Sequence, residues 1–410
     1  MAEREIIHRV TLPIGPIHPA LKEPISFRIA VDGEEIVDAD FRPGHIHRGI
    51  EWLGARMNWI QILYIAERIC GICSWSHPMS YIQSVETACN VEVPERAEYI
   101  RVIMGELERI HSHILWAGIA GHEIGYYTIL HYTWLWREKV LDLMELLTGN
   151  RVTKSMAMIG GVRRDIEDKH IPLIKENVEY YKKVSDQLVD IFLHDKTIEK
   201  RVKGCGILTE RDALAFCAVG PTVRGSGIRK DVRQDEGIAA YGDIGVKAVV
   251  PQDVLGSVTG DVLDRVVVRA VEVRQSAEII ERALDMMPSG DIMFESKPLK
   301  LLAYLKKQSG EATGRYEAPR GEVIHYVRAE ESDRPARWKP RAPTLNNLPT
   351  CKPILMHNQI ADIPIVIASI DPCFSCTDRV AIVDERSGET SIITREELER
   401  LSRKKTEELR

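Results

Sequence analysis

Two stretches at opposite ends of the chain, ERICGICSWSH (67–77) and SIDPCFSCTDR (369–379), each contain a C-x-x-C pair. The pairs are Cys70/Cys73 and Cys373/Cys376. Thiolates favour zinc, copper(I), iron-sulfur or nickel-type centres, and a two-residue spacer lets both sulfurs of a pair reach one metal. The four thiolates could therefore close one site. Spacing alone most often indicates a structural Cys₄ zinc site, and a disulfide-exchange pair is a weaker alternative because neither stretch lies in a recognisable βαβ context.

Composition narrows the class of protein. The 410 residues carry a formal net charge of −6, with 44% hydrophobic and 28% charged residues, as in ordinary globular proteins. Acidic and basic residues are mixed along the chain, so no nucleic-acid surface is predicted. Eight cysteines are too few for a disulfide scaffold. The four isolated ones are expected to be small buried hydrophobes: Cys89, Cys205, Cys217 and Cys351.

The N-terminal sequence has neither the apolar core of a signal peptide nor the pattern of a transit peptide, so no secretory export is expected. The longest apolar runs fall short of the roughly 18 residues that span a bilayer. Membrane association is therefore expected to come through partners.

Three domains are predicted, in an α+β, mainly helical fold. Residues 1–50 alternate apolar and polar positions between turn signals, which predicts a small antiparallel β domain. Residues 51–290 carry long stretches of helical periodicity, which predicts a central helical bundle; these stretches cover about 54–150, 172–195 and 261–287. Residues 291–410 are predicted to form a mixed C-terminal region of helices and strands.

Short strands are predicted where apolar runs are bounded by glycine and proline. They are GCGILTE (204–210), GVKAVVPQD (245–253), GEVIHYVRA (321–329), IPIVIAS (363–369) and VAIVDERSGETSIIT (380–394). The Pro- and Arg-rich stretch 332–350 predicts an extended surface connection.

The residues around both cysteine pairs resemble those of nickel-iron hydrogenase large subunits. The first family signature is matched by Arg48-Gly49-Ile50-Glu51, Arg68-Ile69-Cys70-Gly71-Ile72-Cys73 and His77. The last signature is matched by Asp371-Pro372-Cys373-Phe374-Ser375-Cys376-Thr377-Asp378-Arg379. Two intervening segments are also similar to the family, LERIHSHILWAGIAGHEIG (107–125) and EAPRGEVIHYV (317–327). The resemblance thus spans most of the chain.

The resemblance implies a NiFe(CN)₂CO centre. Cys70 and Cys373 would be terminal ligands to nickel, while Cys73 and Cys376 would bridge nickel to an iron that carries carbon monoxide and cyanide. Such a centre polarises dihydrogen so that it splits heterolytically, while a nearby base takes the proton. Glu51 matches the family carboxylate that carries protons from the site, a role suited to a partly desolvated acid; an ordinary surface or helix-start glutamate is the alternative.

The resemblance also implies the residues around the metals. Arg320, next to Pro319, matches the arginine that covers the open metal face and contacts a cyanide through charge-assisted hydrogen bonds; an ordinary ion pair is the alternative. Ser369 and Asp371 match the residues that hold the other cyanide and the arginine. His77 would hydrogen-bond a bridging sulfur.

Other features resemble the energy-converting group of these enzymes. Arg379 stands where soluble hydrogenases more usually have histidine. The segments 149–166 and 219–231 are similar to the 49 kDa-type subunit of complex I, which lines the quinone cavity but lacks the four cysteines. The segment after Arg379 is either removed after metal loading, as in many family members, or retained as a hairpin and an amphipathic helix.

The resemblance implies the catalytic subunit of a membrane-associated hydrogenase that evolves hydrogen with electrons from reduced ferredoxin. The sequence has no further cysteine cluster for an iron-sulfur relay, so a small subunit is expected to carry the proximal cluster. Ion translocation is expected in antiporter-like or complex I-like membrane subunits, with this chain peripheral on the cytoplasmic side. Two other classes stay open: a complex-I-like quinone or other acceptor reductase module without a functional nickel site, and a structural Cys₄ zinc protein.

Overall fold

The structure, a computed structural model, describes residues 9–377, 382–383, 390–391 and 395–408. The strands are β1 (Arg9–Ile14), β2 (Ser26–Asp32), β3 (Glu35–Arg42), β4 (Ala157–Met158), β5 (Gly161–Val162), β6 (Ser309–Ala318), β7 (Gly321–Glu330), β8 (Arg337–Arg341), β9 (Ile382–Val383) and β10 (Thr390–Ser391). The helices are α1 (Ile50–Gly54), α2 (Trp59–Glu67), α3 (Ser76–Ala88), α4 (Glu95–Glu123), α5 (Tyr127–Thr148), α6 (Ile171–His194), α7 (Lys196–Val202), α8 (Glu210–Ala215), α9 (Pro221–Arg224), α10 (Val232–Asp235), α11 (Tyr241–Ile244), α12 (Gln252–Leu255), α13 (Val262–Met286), α14 (Pro298–Leu305), α15 (Pro343–Asn347), α16 (Cys351–Leu355), α17 (Ile363–Ser369) and α18 (Arg395–Glu408).

The N-terminal strands form an antiparallel sheet in the order β1-β2-β3. Along β2, Phe27, Ile29 and Val31 are buried and their neighbours are more exposed, as the alternation of apolar and polar positions requires. Gly33, with φ of +61°, makes the turn between β2 and β3. The predicted N-terminal β region is confirmed.

The centre of the molecule is a bundle of long helices. α4 packs between α5 and α13, and α13 also packs against α6. The Asp261 side chain accepts a hydrogen bond from the backbone N–H of Asp264 at the start of α13, whereas Gly149 ends α5 in the left-handed conformation. These helices confirm the predicted bundle and place α4 at its core.

A second antiparallel sheet, in the order β6-β7-β8, packs against α3 through β6 and β7. This contact matters for the site because α3 begins just after the first C-x-x-C pair, and the turn between β6 and β7 contains Pro319 and Arg320. The mainly helical α+β class is therefore confirmed. The division into domains after residues 50 and 290 stays a prediction.

Four of the predicted local structures are wrong. Residues 204–210 and 245–253 form no strand, and IPIVIAS is the helix α17. Residues 332–350 are not simply an extended surface connection, because they form β8, α15 and a 3-10 turn, with Trp338 only 2% exposed. Among the described helices, none combines the length and apolar character needed to cross a bilayer.

Candidate metal centre

Three of the predicted ligand thiols converge in the core. The Sγ atom of Cys373 lies 3.2 Å from that of Cys70 and 3.1 Å from that of Cys376, and the three sulfurs lie within 4.8 Å of one another. Cys73 lies outside this triplet but beside it: its backbone N–H donates to Cys70 Sγ at 3.3 Å, and its own Sγ accepts from Arg320 Nη1 at 3.3 Å. All four thiols are buried.

Among the buried thiols, Cys70 is the one that most readily carries a negative charge. Hydrogen bonds from Cys373, Cys376 and Cys73 hold the pKa of Cys70 well below its usual range. The pKa of Cys73 is raised by its hydrogen bond with Cys70 and by burial. The pKa of Cys376 is raised by its hydrogen bonds with Cys373 and Cys70 and by burial. A metal cation would stabilise further thiolates and release their protons, which is how metal binding couples to thiol ionisation.

Glu108, on α4, holds the first cysteine loop. Its carboxylate accepts from the backbone N–H groups of Trp75 at 2.5 Å and Ser76 at 3.1 Å, where α3 begins. Lys154 Nζ lies 3.3 Å from the same carboxylate, and both side chains are buried. A buried carboxylate with charged and amide donors is a rigid anchor. The position of Cys73 is thereby tied to the centre of the bundle.

Arg48 joins the two cysteine loops. Its guanidinium donates to the carbonyl oxygens of Arg68 at 2.8 Å and Ile69 at 2.7 Å in the first loop. It also donates to the carbonyl oxygen of Ser375 in the second loop, at 3.0 Å. Arg48 belongs to the first signature, but this bridging role could not be predicted from the sequence because its partners are backbone atoms.

Pro319 and Arg320 form the two-residue turn of the β6–β7 hairpin. Arg320 donates through Nε to the carbonyl oxygen of Asp371 at 2.9 Å and through Nη2 to its carboxylate at 2.8 Å. The remaining Nη1 reaches Cys73 Sγ. The guanidinium is therefore fixed against the second cysteine loop while it touches a thiol of the first.

Two glycines allow the turn to approach the rest of the site. Gly321 has φ of +122°, and a Cβ there would lie 2.7 Å from the backbone nitrogen of Gly220. A Cβ on Gly220 would in turn lie 2.5 Å from the carbonyl oxygen of Arg320. Asn347 connects the two segments, because its amide donates to the carbonyl oxygens of Val219 at 3.2 Å and Arg320 at 3.3 Å.

A network of buried charged side chains holds the same hairpin at Glu317. Arg109, on α4, donates to the carbonyl oxygen of Glu317 at 2.5 Å, and Arg224 donates to the Glu317 carboxylate at 2.7 Å. Burial raises the pKa of Glu317 to about 7. Arg109 and its neighbours His111 and His113 are all buried, with His113 Nε2 2.8 Å from Glu272. Arg109 and Arg224 thus hold the hairpin at Glu317, and all of these side chains lie outside the thiol cluster.

Asp371 and Ser369 lie at the end of α17. Asp371 adopts φ of +51°, and its Oδ2 has no hydrogen-bond partner among the described residues although it is buried. Ser369 is fully buried, and its Oγ accepts from Arg265 Nε at 3.0 Å and donates to the carbonyl oxygen of Val366 at 2.6 Å. The predicted contact between Ser369 and a cyanide stays a prediction.

His77 lies in α3 and is fully buried, and burial lowers its pKa to about 4. Its Nδ1 is 3.1 Å from His325 Nε2, whereas its own Nε2 has no hydrogen-bond partner among the described residues. His77 and Cys376 line the same small cavity, of about 10 Å³. His77 thus lies near the cluster and has one ring nitrogen without a partner among the described residues.

A larger cavity, of about 230 Å³, opens beside the thiols and is lined by Glu23, Ile72, Trp116, Arg320 and Cys373 among others. Glu23 accepts from the backbone N–H of Ser375 at 2.8 Å, and its other oxygen is 3.9 Å from Cys373 Sγ. We did not predict Glu23 from sequence. The available signal was weak: it is the only acid in the loop between β1 and β2.

Glu51 lies on α1, with 22% of its side chain exposed, and its carboxylate is 3.4 Å from Arg337 Nη2. The structure therefore places Glu23, and not Glu51, within hydrogen-bonding range of a cluster thiol. Arg379 lies outside the described residues. The described parts of the tail are the antiparallel β9–β10 pair and α18.

The donor set fits a soft metal centre. Buried thiolates are ligands for nickel, iron or zinc, and a guanidinium with one nitrogen aimed at the thiols suits small anions. The cavity next to the cluster, lined by apolar and charged side chains, leaves room for diatomic ligands or substrate.

Comparisons with known proteins agree with this chemistry. Residues 48–117 match the family described as nickel-dependent hydrogenase, and residues 123–379 match the respiratory-chain NADH dehydrogenase 49 kDa subunit. The chain is 52% identical to membrane-bound hydrogenase subunit alpha of Pyrococcus furiosus, over 99% of this chain and 95% of that protein. It is 38% identical to formate hydrogenlyase subunit 5 of Escherichia coli, over 95% of this chain and 67% of that protein.

Among solved structures, a chain of the membrane-bound sulfane sulfur reductase, an archaeal respiratory membrane complex, superposes with a TM-score of 0.83 at 31% identity. The match covers 90% of this chain and 98% of that one. Hydrogenase and non-hydrogenase complexes thus share this subunit fold. The chain belongs to the nickel-iron hydrogenase large-subunit family, in the membrane-bound group that is related to the 49 kDa subunit of complex I.

Proposed function

We propose that this chain is the catalytic subunit of a membrane-associated, energy-converting nickel-iron hydrogenase that interconverts dihydrogen with two protons and two electrons. The observation that carries the proposal is the convergence of the two C-x-x-C loops beneath Arg320. A nickel-iron centre bearing carbon monoxide and cyanide would supply the Lewis acidity for heterolytic cleavage of dihydrogen. Cys70, Cys73, Cys373 and Cys376 would hold it.

The protein's own groups provide binding and proton transfer. Arg320, fixed by two hydrogen bonds to Asp371, offers Nη1 to a small anionic ligand. Glu23 lies 3.9 Å from Cys373 Sγ, close enough for direct exchange of a proton after a small side-chain rotation. Glu51, partly exposed beside Arg337, would carry protons to solvent.

Electrons and ions require partners. Within the described residues, the thiols of the C-x-x-C loops are the only cysteine group that could hold a metal. Electrons would therefore enter through a small subunit with a proximal iron-sulfur cluster, from reduced ferredoxin. Antiporter-like or complex I-like membrane subunits would translocate ions, with this chain on the cytoplasmic side. The relatives in membrane-bound complexes support this assembly.

The alternative is an acceptor reductase module without a functional nickel site. It is supported by the match of residues 123–379 to the complex I subunit and by the sulfane sulfur reductase structure. The four cysteines favour the hydrogenase, since a quinone site has no need of a thiolate cluster.

Isotope exchange between D₂ and water tests the proposal without requiring a physiological electron donor. The purified complex should form HD. A complex with Cys373→Ser should not. Cys217→Ser should retain the rate, because Cys217 lies outside the cluster and, contrary to the expectation from sequence, is exposed. An assembled wild-type complex that contains nickel but forms no HD would exclude hydrogenase function.

A further inference from the structure

Three buried aromatic side chains form a hydrogen-bonded line that ends at His77, which lines a small cavity together with Cys376. Trp338 Nε1, on β8, donates to His325 Nδ1, on β7, at 3.2 Å. His325 Nε2 is in turn 3.1 Å from His77 Nδ1, on α3. His77 and His325 are fully buried, and Trp338 is 2% exposed. The line therefore crosses from the second sheet into the helix that follows the first cysteine loop.

The chemistry of the groups fixes the direction of every hydrogen bond. An indole N–H can only donate, so His325 must accept at Nδ1. A neutral imidazole carries one proton, which must then be on His325 Nε2, and this nitrogen donates to His77 Nδ1. His77 must therefore carry its own proton on Nε2. That nitrogen has no partner among the described residues, and His77 shares its cavity with Cys376.

Burial agrees with these tautomers, which follow from the hydrogen bonds alone. It lowers the pKa of His77 to about 4 and that of His325 well below its ordinary value. The tautomer of each ring follows from the hydrogen bond that its neighbour makes to it.

Packing holds the three rings in place. The ring centroids of His77 and His325 are 5.4 Å apart, and those of His325 and Trp338 are 5.7 Å apart. Tyr81 contacts Trp338 edge-on at 5.7 Å. Gly54 provides the space for the indole, because a Cβ there would lie 2.2 Å from Trp338 Cε3. Aromatic groups packed in this way have little freedom to rotate.

We propose that Trp338 and His325 are positioning residues that fix His77 in the Nε2–H tautomer and direct this N–H toward the sulfur of Cys376. The role of the N–H at a metal-bound sulfur rests on the proposed function, whereas the tautomer does not. A hydrogen bond to a ligating sulfur withdraws electron density from the metals and orients the ligand. Trp338 would thus influence the centre through two histidines.

The tautomer is tested first, in the full chain without metal, by ¹⁵N NMR after selective labelling of histidine. Wild-type His77 should give the shifts of a protonated Nε2 and an unprotonated Nδ1. Trp338→Phe removes the donor that fixes His325, so His77 should become a mixture of tautomers. Trp59→Phe is the matched control, because Trp59 is equally buried but its N–H donates to the carbonyl oxygen of Ser332 at 3.0 Å. A protonated Nδ1 on wild-type His77 would overturn the inference.

The effect on the centre is tested by the infrared bands of carbon monoxide and cyanide in the assembled complex. Trp338→Phe and His325→Leu should shift these bands to lower frequency, because the sulfur loses a hydrogen bond. His325→Gln should restore them, since its amide can still donate to His77 Nδ1. Unshifted bands in both Trp338→Phe and His325→Leu would overturn the positioning role. Absence of the bands from the wild-type complex would instead overturn the proposed function and leave the NMR result standing.

Discussion

The Sγ atoms of Cys70 and Cys373 lie 3.2 Å apart, although 303 positions separate the two residues along the chain. Their approach depends on the helical bundle, the β6–β7 hairpin and Arg48, which together hold both cysteine loops.

Cys376→Ser should reduce the nickel content of the purified complex, because a hydroxyl is a harder and weaker ligand than a thiolate. The loss should reach at least the roughly 10–100-fold that removing even an outer partner costs a metal site. Elemental analysis per assembled complex provides the measurement. The same nickel content in Cys376→Ser and in the Cys217→Ser control would contradict the assignment.

Arg320→Lys should lower turnover by about 100- to 1,000-fold, which is the scale for losing one preorganised donor. Arg320 uses two nitrogens to bond Asp371 and the third to reach Cys73. Lysine has a single side-chain nitrogen and cannot make all three contacts. The nickel content should stay near that of the wild type. Hydrogen production from a chemical reductant is the assay. Arg315→Lys, on the same hairpin and half exposed beside Glu236, should leave turnover unchanged, and equal losses in both variants would contradict a specific role.

Arg48→Ala should destabilise the chain, because it leaves the carbonyl oxygens of Arg68, Ile69 and Ser375 without their charged donor. The expected cost is about 1–3 kcal/mol, measured by urea unfolding of the full chain. Arg56→Ala removes a neighbouring arginine that stacks on Trp52 and donates to its carbonyl oxygen, and it should cost less. A larger cost for Arg56→Ala would show that Arg48 does not join the two loops.

The buried His113 side chain should lower the free energy of unfolding in acid. Burial lowers its pKa from 6.5 to about 4, opposed by Glu272 and assisted by Arg109 and Arg269. Between these values the unfolded chain binds more protons than the folded chain, so the free energy of unfolding falls as the pH falls from 6.5 toward 4.

Replacement by glutamine, which can still donate to Glu272, should flatten this slope by up to about 1.4 kcal/mol per pH unit. Urea unfolding at several pH values within the window measures the slope. His194→Gln, at an exposed position at the end of α6, should leave it unchanged. A slope that is the same in the His113→Gln and wild-type chains would refute the prediction.

Sequence patterns predicted the long helices and the N-terminal sheet because apolar residues recur in each with the regular period of that structure. They failed for IPIVIAS, since a seven-residue apolar run fits a buried strand and a buried helix equally well. The structure resolves this as α17, which has Pro364 in its first turn. The Pro- and Arg-rich stretch was misinterpreted because β8 exists only through pairing with β7.

The site was only partly predictable for a related reason. Motif residues such as Arg320 and Asp371 could be matched residue by residue, and the structure brings them together. Glu23 and Arg48, in contrast, contact backbone atoms of Ser375, which is more than 300 positions away along the chain. No local pattern in the sequence encodes such contacts, so only the folded structure reveals them.

The most direct test of the central claim is the infrared spectrum of the purified complex, recorded together with its nickel, iron and zinc content. We predict carbon monoxide and cyanide bands with stoichiometric nickel, and their loss in Cys373→Ser. A fully assembled complex with neither bands nor nickel would contradict the account: bound zinc would indicate a structural Cys₄ site, and no metal at the thiols would indicate an acceptor reductase module.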